Sequence, residues 1–97
     1  MWTGTLALDL LLGDVHSLKE KRSVVRPVVA ALAKLGVSAA EAGHLDLHRR
    51  ALVGVAVVAA DAQHCREVLA SCERLIADRL EVEVPSAHTQ LYKEGDQ

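Results

Sequence analysis

The stretch VSAAEAGHLDLHRRALVGVAVVAA, from Val37 to Ala60, decides the fold. It reads as two extended runs, Val37 to Asp46 and Arg50 to Ala60, with only Leu47 to Arg49 between them. In the second run Val53, Val55 and Val57 fall on one face and Leu52, Gly54, Ala56 and Val58 on the other, the period of two that a strand shows. So short a connection joins antiparallel neighbours, because a parallel pair needs a crossover of a dozen or more residues. The stretch is therefore a hairpin, and the fold depends on what flanks it.

Upstream, Leu6, Leu8, Leu10 and Leu12 alternate with Ala7, Asp9 and Leu11 from Thr5 to Gly13, predicting a first strand with one leucine-lined face. Ser17-Leu18-Lys19-Glu20 has the spacing of a capping box, so a helix starts near Ser17. It continues through Val24, Val25, Val28, Val29, Leu32 and Leu35 at three-and-four spacing and stops at Gly36. Pro27 lacks the N–H that would bond to Ser23, which predicts a kink or a helix in two pieces. Downstream, Asp61 caps a second helix with a buried stripe of Val68, Leu69, Cys72, Leu75 and Ile76, ending near Leu80. Glu81 to Tyr92 is a last strand, broken or bent at Pro85.

The order is βαββαβ. Two β–α–β units in one antiparallel sheet, with both helices on one face, make a ferredoxin-like α+β sandwich, and right-handed crossovers give the strand order 4-1-3-2. Residues 1–92 form the one domain and 93–97 a frayed tail. At 97 residues the chain can build a single core. With no Phe, one Trp and one Tyr, that core must come from Leu, Val, Ala and Ile. The net charge of -2 provides no global field toward nucleic acid or an anionic membrane, so any such contact is local. No run reaches the ~18 apolar residues of a membrane span and no signal peptide is evident, so the expected location is cytoplasmic, with no membrane partner. Cys65 and Cys72 lie seven apart on one helix, about 10 Å along its axis, too far for a disulfide, and read as reduced core residues.

Three groups of residues could carry function. Lys19, Lys21, Arg22 and Arg26 cluster at a helix start, where free N–H groups and the dipole favour an anion. The cluster reads either as a solvated helix face or as a contact to RNA phosphates. His44, Asp46 and His48 recur at i, i+2 and i+4, residue types that suit a divalent metal if the strand carries them on one face. The favoured reading is a polar cluster that ties down the hairpin by hydrogen bonds, with no metal and no cofactor. Third, two helices cover one side of the sheet, leaving Ala7, Leu11, Gly54, Ala56 and Val58, with Ala40 and Ala42, on an open, mostly apolar face. Such a face predicts self-association into a homo-oligomer. Ser23, Ser71 and Ser86 lack the glycine-framed elbow of a nucleophile, and the strands offer no aromatic platform for bases beyond Trp2. An enzyme is not expected.

Ser17-Leu18-Lys19-Glu20-Lys21-Arg22, then Ser23-Val24-Val25-Arg26-Pro27, Val37-Ser38-Ala39-Ala40-Glu41 and His44-Leu45-Asp46-Leu47, resemble the DUF503 family of bacterial YlxP-like proteins over nearly the whole chain. Many members carry a Trp where this chain has His48. The resemblance implies a ferredoxin-like fold and brings no established activity. Genes of the family tend to lie beside those for translation initiation and ribosome maturation factors, which implies a role near the ribosome or RNA. Two functions follow: a translation-associated accessory protein that touches RNA phosphates or a ribosome-related partner through the basic helix start, or a self-associating module with no nucleic-acid role.

Overall fold

The computed structural model describes residues 1–79 and 81–95. The elements are β1 (Trp2–Leu12), α1 (Leu18–Ala33), β2 (Ser38–Gly43), β3 (Arg50–Ala59), α2 (Ala62–Ala77) and β4 (Val82–Lys93). The strands form one sheet in the order β2-β3-β1-β4, every neighbouring pair antiparallel. This is the expected 4-1-3-2 arrangement read from the other edge.

Alternation decides the faces. Leu6, Leu8, Leu10 and Leu12 of β1 and Ala51, Val53, Val55 and Val57 of β3 are buried under the helices, and Val25, Val28, Leu32, Cys65, Leu69, Cys72 and Ile76 close the core from above. A core without Phe permits close approach, and Gly4 marks where it is closest. A Cβ there would lie 2.8 Å from Leu69 Cδ1 and 3.3 Å from Cys65 Cβ, so the missing side chain at Gly4 eases the packing of α2 on β1. Both cysteines are buried as free thiols.

Several features depart from the sequence reading, beginning with β1, which starts at Trp2 and not at Thr5. Helix α1 is a single helix with Pro27 inside it, because both Pro27 and Ser23, whose carbonyl loses its partner, are exposed to water. It ends at Ala33, and Gly36 then takes φ 80, the left-handed conformation suited to a glycine. Strand β2 is shorter than expected, ending at Gly43, with an irregularity between Glu41 and Gly43. Helix α2 ends at Ala77, while Leu80, where its end was expected, lies outside the described residues. At the C-terminus, Lys93 belongs to β4, paired with Trp2, and the Glu94 N–H donates to the Met1 carbonyl at 2.9 Å. The frayed tail therefore does not begin at 93; Asp96 and Gln97 lie outside the described residues.

Pro85 bends β4 as its chemistry requires. Asp9 pairs with Ser86 and Leu11 with Glu83, so Val84 and Pro85 together face Leu10, and the bulge absorbs a residue that has no N–H for the ladder.

Candidate functional site

The start of α1 is built as its sequence indicates. Ser17 is extended (φ -156) and its Oγ accepts from the Glu20 N–H at 3.1 Å. Glu20 Oε2 reaches back to the His16 N–H at 3.0 Å, one residue earlier than a standard capping box would use. Glu20 is thereby committed to the backbone, although it sits amid the basic cluster.

The four cations divide into two kinds. Lys21 is 2 % exposed, and with Val25, Val28 and Leu32 it continues the buried stripe of α1 at four-, three- and four-residue spacing. Its Nζ donates to the carbonyls of Leu47 at 2.6 Å and His44 at 2.7 Å, and lies 2.7 Å from Glu41 Oε2 as an ion pair without hydrogen-bond alignment. An ammonium buried in this way, with two carbonyls and a carboxylate around it, is closed to a phosphate. Lys21 is therefore corrected from an anion contact to a structural clasp that holds α1, β2 and the hairpin tip together. Lys19, Arg22 and Arg26 are exposed and flank one shallow depression with Ser23 and Pro27. No side chain of the three has an ion pair or hydrogen bond among the described residues.

The hairpin tip does not carry its polar residues on one strand face. His44 lies beyond the end of β2 with φ 56 and its carbonyl accepts from the Leu47 N–H at 3.1 Å, so the tip turns where strand alternation was expected to continue. His44, Asp46 and His48 are all exposed, and among the described residues no group of three or more His, Cys, Asp and Glu is placed to hold a metal ion. The hairpin is tied down by Lys21 on the His44 and Leu47 carbonyls, and at its base by the Leu12 N–H on the Arg49 carbonyl at 2.9 Å. The tip also exposes Leu47 and Leu45, the latter in a depression it shares with Leu18 of the first turn of α1.

On the face away from the helices, the strand registers set out rows. Ala40, Gly54, Ala7 and His88 form one; Ser38, Ala56, Thr5 and Gln90 the next. These eight line a shallow depression with a floor of Ala and Gly. Beyond it stand Val58, Thr3 and Tyr92 at one end and Leu52, Asp9 and Ser86 at the other, followed by Arg50, Leu11 and Glu83. Ala7, Leu11, Gly54, Ala56 and Val58 all lie on this open face, where Val58 is 63% exposed. Sequence reasoning missed the ion pair that crosses it: Arg50 Nη2 donates to Asp9 Oδ2 at 2.5 Å, while Asp9 Oδ1 lies 3.9 Å from His44 Nε2. A carboxylate within the apolar alternation of β1 was the available signal. Glu41, the partner of Lys21, was missed likewise, being one of two Glu-or-Asp residues in the strand run from Val37 to Asp46.

Among the described residues, no helix is long and apolar enough to cross a membrane. Two solved structures share the architecture. One is a de novo designed protein with ferredoxin fold, 12% identical with a TM-score of 0.60, covering 100% of this chain and 91% of that one. The other is a mutant of SnoaB, a cofactor-independent oxygenase from Streptomyces nogalater, 15% identical with a TM-score of 0.53, covering 98% and 95%. At these identities the likeness is one of fold alone. No curated protein matches the chain. The family model described as protein of unknown function (DUF503) matches residues 3–89, nearly the entire domain around the basic helix start and the hairpin, and the chain belongs to that family.

Proposed function

We propose that this protein is a non-catalytic, cytoplasmic accessory factor of translation that holds RNA phosphates through Lys19, Arg22 and Arg26. The observation that carries the reading is the composition of that ridge. Three exposed cations at three- and four-residue spacing share one surface depression, and no acidic side chain among the described residues neutralises them. Glu20, within the cluster, and Glu41, which shares a depression with Arg22 and Arg26, are committed elsewhere, to the His16 N–H and to Lys21. Arginine suits this role, because its planar fork matches phosphate oxygens pairwise. Family genes lying beside those for ribosome maturation factors point to ribosomal RNA as the source of phosphate. The overall charge of -2 means that attraction acts only near the ridge.

The test is co-sedimentation with ribosomal particles, and binding to single-stranded RNA, across a salt series. Three phosphate contacts predict a log-log salt slope of about -2, at about -0.7 per contact on a single strand. Replacing Lys19, Arg22 and Arg26 together by Gln abolishes that slope and leaves the circular dichroism unchanged. A native protein that binds neither probe at low salt, or binds both without regard to salt or to the triple replacement, refutes the reading.

A further inference from the structure

From the open sheet face we infer that the protein is a symmetric dimer, two copies packed sheet to sheet about a two-fold axis that runs across the strands. The inference is independent of the RNA ridge, which lies on the helix side.

The rows of the face identify the occupant. Take an axis in the plane of the interface, perpendicular to the strands, passing between the Ala7 row and the Thr5 row. It lays each strand over its own copy in reverse and exchanges rows at equal distance from the axis. Gly54 then faces Ala56 of the second copy, Ala7 faces Thr5, Ala40 faces Ser38 and His88 faces Gln90. One row further out, Leu52 faces Val58, Asp9 faces Thr3 and Ser86 faces Tyr92. Small residues meet small ones at the centre, the two larger apolar side chains meet each other, and polar residues meet along β4. An axis parallel to the strands, between β1 and β3, instead puts the Asp9 carboxylate over Leu52 and His88 over Ala40, burying polar groups against hydrocarbon. Of the charges of the face, Asp9 and Arg50 pair within one copy at 2.5 Å, and Glu83 stands in the outermost row, beyond the rows that the axis exchanges.

The size also suits a second copy. Four strands at about 4.8 Å spacing and the exchanged rows from Thr3 to Asp9 at about 3.4 Å per residue give a flat footprint of ~400 Å², before side-chain relief is added. A standard interface takes roughly 800 Å² of accessible surface per partner, so this dimer belongs at the small end of specific interfaces. Sheets so packed keep their strands within about 30° of each other, which preserves the row matching.

Sedimentation equilibrium at high micromolar concentration should return twice the chain mass of 10.4 kDa. Ala56→Lys, beside the axis, should weaken association at least ~100-fold while the chain stays folded. Val58 is 63% exposed in one copy, so Val58→Lys cannot disturb the core and should also yield monomers. It decides the matter if Ala56→Lys fails to fold. Because Cys65 and Cys72 are buried, an added pair of cysteines at Leu52 and Val58 reports the axis alone, and a short bis-maleimide should link the two copies through that pair but not through Val58→Cys by itself. A native monomer at these concentrations overturns the dimer, as does a Val58→Lys protein that is still dimeric. Cross-linking through Val58→Cys alone overturns the axis.

Discussion

Replacing Lys21 by Met keeps most of the aliphatic stem in the buried stripe of α1 and removes only the ammonium. The two carbonyls of the hairpin tip, His44 and Leu47, then lose a charged donor, and Glu41 loses its counterion. Breaking a buried charge pair from one side costs about 3–5 kcal/mol. The Glu41 side chain is 22% exposed and can recover some hydration, so the expected loss is about 2–4 kcal/mol. At about 4–8 °C per kcal/mol for a domain of this size, the melting temperature should fall by at least ~8 °C. Urea titration gives the loss directly, and amide exchange should place the lost protection first at residues 44–49, where the ammonium had pinned the chain. Adding Glu41→Leu to Lys21→Met removes the stranded carboxylate and should recover about 1–2 kcal/mol, a coupling that a double-mutant cycle reads. If Lys21→Met costs under about 1 kcal/mol, Lys21 is not the clasp derived from the geometry; weaker RNA binding at unchanged stability would return it to the basic ridge.

Ser17→Ala should destabilise the protein by about 1 kcal/mol in urea titration, since the Glu20 N–H loses its acceptor. Gly4→Ala should cost about 1 kcal/mol in the same assay, because Leu69 must turn away from a Cβ 2.8 Å from its Cδ1 and Cys65 Cβ, at 3.3 Å, must give slightly. Burial pushes the Cys72 thiol up from its ordinary value, so the native state keeps that proton longer than the unfolded chain does. Stability should therefore fall as pH rises through the ordinary thiol range, by an amount that Cys72→Ser removes, and thiol reagents should label Cys72 only as the chain unfolds.

Periodicity carried the strand order and the two faces of the sheet, since alternation in β1 and β3 runs unbroken from one end to the other. What it missed are places where one interaction outweighs a pattern. Lys21 looked like a surface cation because lysine is seldom buried, yet its spacing from Val25 was that of a core position, and Glu41 stood on the next strand to receive it. The face expected for His44, Asp46 and His48 assumed that β2 ran on to Asp46. The left-handed turn at His44 and the carbonyls that Lys21 holds ended it at Gly43, and no local signal marks a contact made from 23 residues away. Pro27 was over-read in the opposite sense. A proline ends a helix where the freed carbonyl is buried, and the carbonyl it frees here belongs to an exposed residue.

The bulge at Pro85 bears on the fate of the chain at high concentration. Strand β4 is 12 residues long and forms one edge of the sheet, so a row of backbone donors and acceptors stands ready to template further strands. An incoming strand must keep one register along its length, and β4 changes register between Ser86 and Glu83 at a residue that has no N–H to offer. Growth that starts at the Tyr92 end meets this interruption after Ser86, and growth from Val82 meets it almost at once. The register change at Pro85 is therefore expected to interrupt strand addition at this edge, and Pro85→Val should raise the rate of aggregation at high concentration, read by light scattering.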